Sequence, residues 1–319
     1  MTPMIGPGAP LFEQNVPLAI LIVVCSSFAY AGGSTLQHLA VGDTVDHSAE
    51  NRTMSGAQLW RLIRKPRWLL GLFIIFLGAS AHIVGLMLAP VTVVQPVGIL
   101  AVPWSVMLAA KIHGHRVNRQ MIGAIVATIG GIVLFTLMSA SSAARHTRIE
   151  LSMILIGCLI TMAVGATFGL IGARGPAAWR CLMWASGGSF FYGLSAAMVK
   201  TTSEIVRQGD FAGKPIFWIV LPFLIASYGV GGWMVQQGLA NGPAEVTVGS
   251  MTTTDPIVGV LFGLIILGEG AEINALQGAV MVVGAICAIG GVVLLSKYHP
   301  DSLGATVPSA QPLTTSADI

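Results

Sequence analysis

The sequence predicts an all-α integral membrane protein with about nine transmembrane helices. Of its 319 residues, 54% are hydrophobic and only 9% are charged, and the mean hydropathy is +0.80. A soluble domain carries about 25% charged residues, so a lipid bilayer explains this composition better than a water-exposed surface. The formal net charge of +3 is small and dispersed, which argues against nucleic-acid binding.

The predicted helices follow from the apolar runs, because a helix that spans the hydrocarbon core needs roughly 20 apolar residues. Segment 1–15 contains no Lys or Arg, so we interpret the first run as a retained helix and not as a signal peptide. The polar tail 297–319 is predicted to be disordered. The runs occupy 16–40, 68–89, 91–111, 121–139, 151–173, 181–200, 216–239, 244–266 and 276–296.

The distribution of basic residues predicts the orientation, because cytoplasmic loops carry an excess of Lys and Arg. Most of the sixteen basic residues fall on one side, and this places the N-terminus outside and the C-terminus in the cytoplasm of a plasma-membrane protein. The residues on that side are Arg52, Arg61, Arg64, Lys65, Arg67, Lys111, Arg116, Arg119, Arg174, Arg180 and Lys297.

A weak internal repeat relates the two ends of the chain. Pro90 and Pro103 have the same separation as Pro243 and Pro256, and Tyr30 aligns with Tyr192. The matching segments are 27–38 with 189–200, 88–104 with 239–257, and 123–135 with 284–295. We therefore predict a 4+1+4 arrangement in which 16–139 and 181–296 are four-helix repeats.

The single linking helix, 151–173, inverts the second repeat in the membrane. The loop charges agree, since KIHGHRVNRQ after the third span is basic and EGAEINALQ after the eighth is not. Inverted repeats are typical of secondary transporters, whose substrate sites lie near the membrane midplane between the repeats. This arrangement favours a transporter.

Two stretches carry a resemblance to a known family. LGEGAEINALQGAVMVVGAICAIGGVVLL (267–295) resembles the glycine–glutamate loop and Gly-rich last helix of EamA-type halves. KPRWLLGLFIIFLGASAHIVGLMLAPVTVVQPVGILAV (65–102) resembles the proline-containing region of NIPA-like magnesium transporters. The chain is thus similar to the drug/metabolite transporter superfamily and closest to its NIPA-like members. The resemblance implies a nine-span bundle and, for the NIPA-like members, magnesium as the cargo.

The chain departs from that pattern at three positions. Gly78-Ala79 stands where the family commonly has a glycine–glutamate pair, and His82 stands at a neighbouring asparagine position. Asp255 replaces a Ser or Thr before the proline of the eighth span. Mg²⁺ prefers several oxygen ligands, commonly carboxylates, so one Asp with Thr hydroxyls would make a small site.

Other polar residues within the spans are candidates for lining a cavity. Tyr30 lies on a polar stripe of the first span, and its repeat partner Tyr192 lies in the sixth. His82 is either a structural histidine or a proton or cation relay. Gln95 precedes Pro96, where a lost helical hydrogen bond would expose carbonyls, and Gln95 either completes these or lines a cavity.

Asp255 is the main candidate, because an ionised side chain at mid-membrane costs roughly 2.5–3.5 kcal/mol. Asp-Pro favours a helix start, so Asp255 could cap a half-helix that begins at Pro256. The alternatives are a substrate or ion ligand together with Thr252 and Thr254, and a protonated side chain at a proline kink.

The predicted function is a multi-pass secondary transporter of a small solute or cation, Mg²⁺ included, that works by alternating access. Pro96, Pro103 and Pro256 are its predicted hinges. A flippase for a lipid or lipid-linked intermediate, with Lys200 as one headgroup ligand, and a non-transporting scaffold remain alternatives. No motif indicates an enzyme or a cofactor. The expected partners are the bilayer and the solute, and a homo-oligomer stays open.

The acidic pair Glu269 and Glu272 follows the eighth span. We interpret it as a solvated pair at a helix start, with a cation-attracting vestibule as the alternative.

Overall fold

The part of the chain that the structure describes folds into ten α-helices. The computed structural model describes residues 13–42, 64–113, 118–142, 149–241 and 244–297, and within these ranges it contains no β-strand. The predicted segments 1–15 and 297–319 lie almost wholly outside them. The helices are α1 (Val16–Gly42), α2 (Pro66–Leu88), α3 (Val91–Gly98), α4 (Ala101–His113), α5 (Arg119–Ser141), α6 (Leu151–Arg174), α7 (Ala177–Arg207), α8 (Pro215–Asn241), α9 (Ala244–Ile265) and α10 (Ala275–Lys297).

The helices are those of a multi-pass membrane protein, as predicted. In the described part of the chain, eight spans are long and apolar enough to cross a bilayer, with α3 and α4 forming one of them. The predicted sixth span, 181–200, lies in α7, which is less apolar than these eight. Most of α7 from Ala185 to Thr201 is buried between other helices, so α7 is the central helix of the bundle.

The predicted third span, 91–111, is interrupted. Pro96 has no N–H and crowds the preceding turn, so a helix is weakened at that point. α3 ends at Gly98, where the Ile99 amide donates to the Pro96 carbonyl (3.1 Å) and the Leu100 amide donates to the Val97 carbonyl (3.1 Å). This tight turn leads directly into α4, which has Pro103 in its first turn.

Glycines allow close pairing of the first two helices of each predicted repeat. A methyl group at Gly33 of α1 would lie 2.7 Å from the Gly71 carbonyl oxygen of α2. The corresponding pair, α7 and α8, has Gly188 placed so that a methyl group would lie 2.9 Å from the Gly231 carbonyl oxygen. Within each predicted repeat, this pair of helices has the most extensive helix–helix packing.

A third glycine contact joins the two predicted repeats through their last helices, α5 and α10. A methyl group at Gly131 of α5 would lie 2.5 Å from the Gly284 carbonyl oxygen of α10. A methyl group at Gly284 would in turn lie 2.9 Å from the Gly131 carbonyl oxygen. We call this contact the α5–α10 seam, and it brings backbone against backbone.

Candidate functional site

Four helices place an acidic side chain among three tyrosines. Asp255 of α9 is within electrostatic range of Tyr30 of α1, Tyr192 of α7 and Tyr228 of α8. The Tyr192 and Tyr228 rings are 6.2 Å apart between centroids and are tilted by 58°. The predicted residues Tyr30, Tyr192 and Asp255 therefore lie together, and Tyr228 joins them. We call these four residues the Asp255 cluster.

The Asp255 carboxyl group is only partly satisfied by the protein. Asp255 as a whole is half-buried, but its Oδ1 atom is fully buried. This atom has no hydrogen-bond partner in the described part of the chain. Burying an unpaired polar atom costs roughly 1–3 kcal/mol. Gly193 brings α7 close beside it, since a methyl group at Gly193 would lie 2.7 Å from the Asp255 carbonyl oxygen. The protein thus holds an unpaired acceptor in a tightly packed position.

Helix α9 runs continuously through Pro256, so the alternative in which Asp255 caps a half-helix that begins at Pro256 is wrong. Asp255 consequently does not cap a helix start. The hydroxyl groups upstream bond back to carbonyls of their own helix: Thr252 donates to the Val248 carbonyl (2.9 Å), and Thr253 donates to the Gly249 carbonyl (2.9 Å). Both hydroxyl groups are therefore engaged within α9.

Pro256 has a second consequence for the site. Because proline has no N–H, it cannot donate to the carbonyl four residues earlier, which is that of Thr252. The Thr252 hydroxyl is engaged within α9, whereas its carbonyl lacks the helical donor that a residue other than proline would supply at position 256. Thr254 is half-buried beside Asp255. If Thr252 contacts a substrate or ion, it does so through its backbone carbonyl oxygen and not through its hydroxyl group.

Gln95 and His82, the other predicted site residues, contact glycines near the Asp255 cluster. Gln95 of α3 is buried, and a methyl group at Gly259, one turn beyond Asp255 on α9, would lie 2.9 Å from its Nε2 atom. The half-buried His82 of α2 lies over Gly98, with its Cε1 atom 3.2 Å from a methyl group built there. Gln95 therefore borders the cluster, whereas His82 packs on the end of α3.

Glu269 is buried, so the prediction of a solvated acidic pair is wrong for this residue. It is 2% exposed, and its carboxylate accepts hydrogen bonds from the Val91 and Thr92 amides, both at 2.9 Å. These are free amides at the start of α3, where the N-cap residue is Pro90 and offers no side-chain acceptor. Glu272 is exposed, as predicted.

Lys200 of α7 is buried near Glu269. It is fully buried, its Nζ atom has no hydrogen-bond partner in the described residues, and its charge interacts with Glu269 and Glu204. Glu204 also forms an ion pair with Arg207. Burial raises the pKa of the Glu269 carboxyl, while the two amides and the Lys200 ammonium oppose this rise.

An apolar cavity of about 610 Å³ lies between α3, α5, α9 and α10. Pro96, Phe135, Val260 and Met281 are among its lining residues. Thr253 and Pro256, on either side of the Asp255 position, also border it. A ligand with an apolar part could therefore reach α9 next to the Asp255 cluster.

The described residues contain no group of three or more His, Cys, Asp or Glu side chains that could hold a metal ion. Asp255 is the acidic member of its cluster, and its neighbours are phenols and backbone carbonyls. Such a site offers a cation one formal negative charge and several weak oxygen ligands.

Comparison with known proteins leaves the family open. The chain is 22% identical over 293 residues to an uncharacterised protein of Corynebacterium glutamicum, and the match covers 89% of this chain and 96% of the relative. No family model matches the chain, and no solved structure matches it. The relative extends over nearly the same length and carries no stated activity.

Two residues of these sites were not among the predicted ones. Tyr228 has no partner in the repeat, although it is one of only four tyrosines in the chain. Glu269 was assigned to solvent because its loop is polar. The sequence did carry a signal for it: a helix that starts after Ala89-Pro90 has no side-chain cap of its own and needs a distant acceptor.

Proposed function

We propose that the protein is a secondary transporter that moves a small solute or cation by alternating access. The observation that carries this proposal is the unpaired Asp255 carboxyl oxygen among tyrosines from three other helices. An ionisable residue inside a membrane bundle usually marks a substrate or ion path. Tyr30 comes from the first predicted repeat and Asp255 from the second, as expected for a site between two moving halves.

The helix packing supports the inverted 4+1+4 repeat that this mechanism needs. The α1–α2 and α7–α8 pairs are built alike, through reciprocal glycine contacts. The last helices of the two repeats, α5 and α10, pack on each other, and α6 links the halves. We place the N-terminus outside and the C-terminus in the cytoplasm of the plasma membrane, on the loop charges. The proposed function uses no cofactor and no catalytic residue.

The chemistry of the Asp255 cluster favours a weakly hydrated or organic cation over Mg²⁺. Mg²⁺ keeps most of its water and prefers octahedral oxygen ligands, so it is normally held by more than one carboxylate or with phosphate. An ammonium group, by contrast, pairs well with one carboxylate and is attracted to the faces of tyrosine rings. The Thr252 carbonyl is a further acceptor for such a group.

Thermal stabilisation of the purified protein tests this proposal directly. Monovalent cations, Mg²⁺ and other divalent cations, and aliphatic and quaternary ammonium ions are added across a range of pH. We expect a cation to raise the melting temperature of the wild type and of Glu272→Gln, and to have no effect on Asp255→Asn. Equal stabilisation of Asp255→Asn would exclude Asp255 as the ligand, and stabilisation by Mg²⁺ alone would restore the magnesium hypothesis.

The apolar cavity favours a second candidate function, a flippase for a lipid or lipid-linked intermediate. The cavity could hold an acyl chain next to α9 while a headgroup approaches Asp255. Lys200 does not suit a phosphate headgroup, because it is fully buried and faces Glu269. Arg61, another basic residue that the sequence offers for a phosphate headgroup, lies outside the described residues.

Proteoliposomes with fluorescent lipids separate the two candidates. Accelerated lipid exchange between leaflets, blocked by Val260→Trp in the cavity and unaffected by soluble cations, would favour the flippase. If neither lipid nor solute moves in any assay, the scaffold alternative remains.

A further inference from the structure

Glu269 joins parts of the molecule that are far apart in sequence. Its carboxylate lies in the loop between α9 and α10, and the Val91 and Thr92 amides that it accepts from are 178 and 177 residues away. α3 belongs to the first predicted repeat and Glu269 to the second. The contact therefore ties the two halves together at the end of the bundle where α3 begins, which is the predicted outer end.

α3 packs on the stretch of α9 that lies between Asp255 and the predicted outer end of the bundle. Asp255, Gly259 and Gly263 follow one another at intervals of four residues and therefore share a face of α9. Gln95 packs on Gly259, and a methyl group at Gly263 would lie 2.7 Å from the Glu269 Oε2 atom and 3.4 Å from the Thr92 Cγ2 atom. Residues Val91 to Val97 of α3 are all buried. α3 thus covers the two turns of α9 between Asp255 and the predicted outer end.

The loop geometry holds the carboxylate in place. Gly268 has a φ of 71°, which favours glycine, and the Glu269 amide donates to the Gly263 carbonyl at 3.0 Å. Lys200 faces the carboxylate from α7. Because two amides at a helix start favour an anion, all three groups act on the same charged form of Glu269.

We propose that the contact between the Glu269 carboxylate and the Val91 and Thr92 amides is the outer gate of the transport path. While it is formed, α3 stays on α9 and closes access to Asp255 from the predicted outer side. When it is released, α3 can move and expose that face. Lys200 is a positioning residue for the gate, because it is buried in α7 and attracts the Glu269 carboxylate electrostatically. This inference rests on the proposed transport function and adds to it the residues that control one side.

Thiol labelling tests the gate without knowledge of the solute. In a chain whose four cysteines are replaced by serine, Thr254→Cys places one thiol beside Asp255. A membrane-impermeant maleimide is applied from the side of loop 266–274. We expect labelling to be faster by at least about tenfold in Glu269→Gln and Gly263→Ala, which corresponds to about 1.4 kcal/mol of gate stability. Glu272→Gln, in the same loop, should label at the rate of the parent.

The two gate variants guard against a folding defect. Glu269→Gln keeps the shape of the side chain and removes its charge. Gly263→Ala leaves Glu269 and Lys200 unchanged and displaces the Glu269 carboxylate. Each is checked by size-exclusion chromatography and thermal unfolding, and one folded variant suffices. Unchanged labelling in a folded variant overturns the proposal.

The result is also separable from that of the transport proposal. Faster labelling in the gate variants together with normal transport by Asp255→Asn would retain the gate and reject the Asp255 site.

Discussion

Asp255 and Glu269 are two carboxylates on consecutive parts of the chain with opposite surroundings. Glu269 accepts two backbone hydrogen bonds and faces a buried lysine, and it is almost completely shielded from solvent. Asp255 is half-buried, has an oxygen without a hydrogen bond, and faces phenols. The protein therefore satisfies the acid that lies at one end of the bundle and leaves the central one unpaired.

The difference separates an acid that the packed bundle stabilises from one that it leaves without a partner. Removal of a buried carboxylate leaves the backbone amides that donate to it without an acceptor, which is destabilising. An acid that the fold does not satisfy contributes little to stability, and its presence needs another reason. For Asp255 that reason is an external ligand.

The largest effect is expected for Glu269→Ala. This variant removes the cap of α3 and leaves Lys200 buried without its opposite charge. We expect the free energy of unfolding to fall by about 2–6 kcal/mol, because two buried amides each lose their acceptor at a cost of about 1–3 kcal/mol. Chemical unfolding in detergent measures the change, with Glu272→Ala as the matched control. A loss no larger than that of the control would mean that Glu269 is not part of the stabilising core.

Asp255→Asn should produce the opposite pattern. We expect transport of the identified solute to fall at least about a hundredfold, which corresponds to about 2.7 kcal/mol. The free energy of unfolding should change by less than about 1 kcal/mol, because the Oδ1 atom has no hydrogen bond to lose. Uptake into proteoliposomes and thermal unfolding of the same preparation give both values. A collapse in stability would assign Asp255 a structural role.

A double-mutant cycle measures the interaction of Lys200 with Glu269. Glu269→Gln leaves a buried ammonium, and Lys200→Met leaves a buried carboxylate, whereas the double variant leaves neither. We expect the double variant to be more stable than the sum of the single effects predicts, with a coupling of about 1–3 kcal/mol. Additive effects would show that the two side chains do not interact.

The smallest effect is expected for Tyr228→Phe. This change keeps the ring, which is 44% exposed, and removes only the hydroxyl group. If the rings attract the cation, affinity should change by less than about fivefold, or about 1 kcal/mol. Tyr228→Leu removes the π-system and should weaken binding more than Tyr228→Phe does, as measured by titration. Equal losses would assign the role to the hydroxyl group.

Local sequence patterns predicted the helices and singled out polar residues that the fold brings close together, but they did not predict the long-range contacts. Tyr30, Tyr192 and Asp255 were found because they stand out as polar residues inside apolar runs. The alternative of a helix start at Pro256 failed because a proline inside a helix can bend it without ending it, and α9 continues through Pro256. Glu269 was misassigned because its burial depends on the uncapped start of α3, more than 170 residues away.

The α5–α10 seam constrains how the protein can accumulate substitutions. Most packing contacts can be repaired, since a larger side chain on one helix is accommodated by a smaller one on its neighbour. At Gly131 the neighbours are Gly284 and Ala288, which have almost no side chain to give up. A selection for second-site suppressors of Gly131→Val should thus yield none at these two positions, and the seam would stay fixed while the lipid-facing surface drifts.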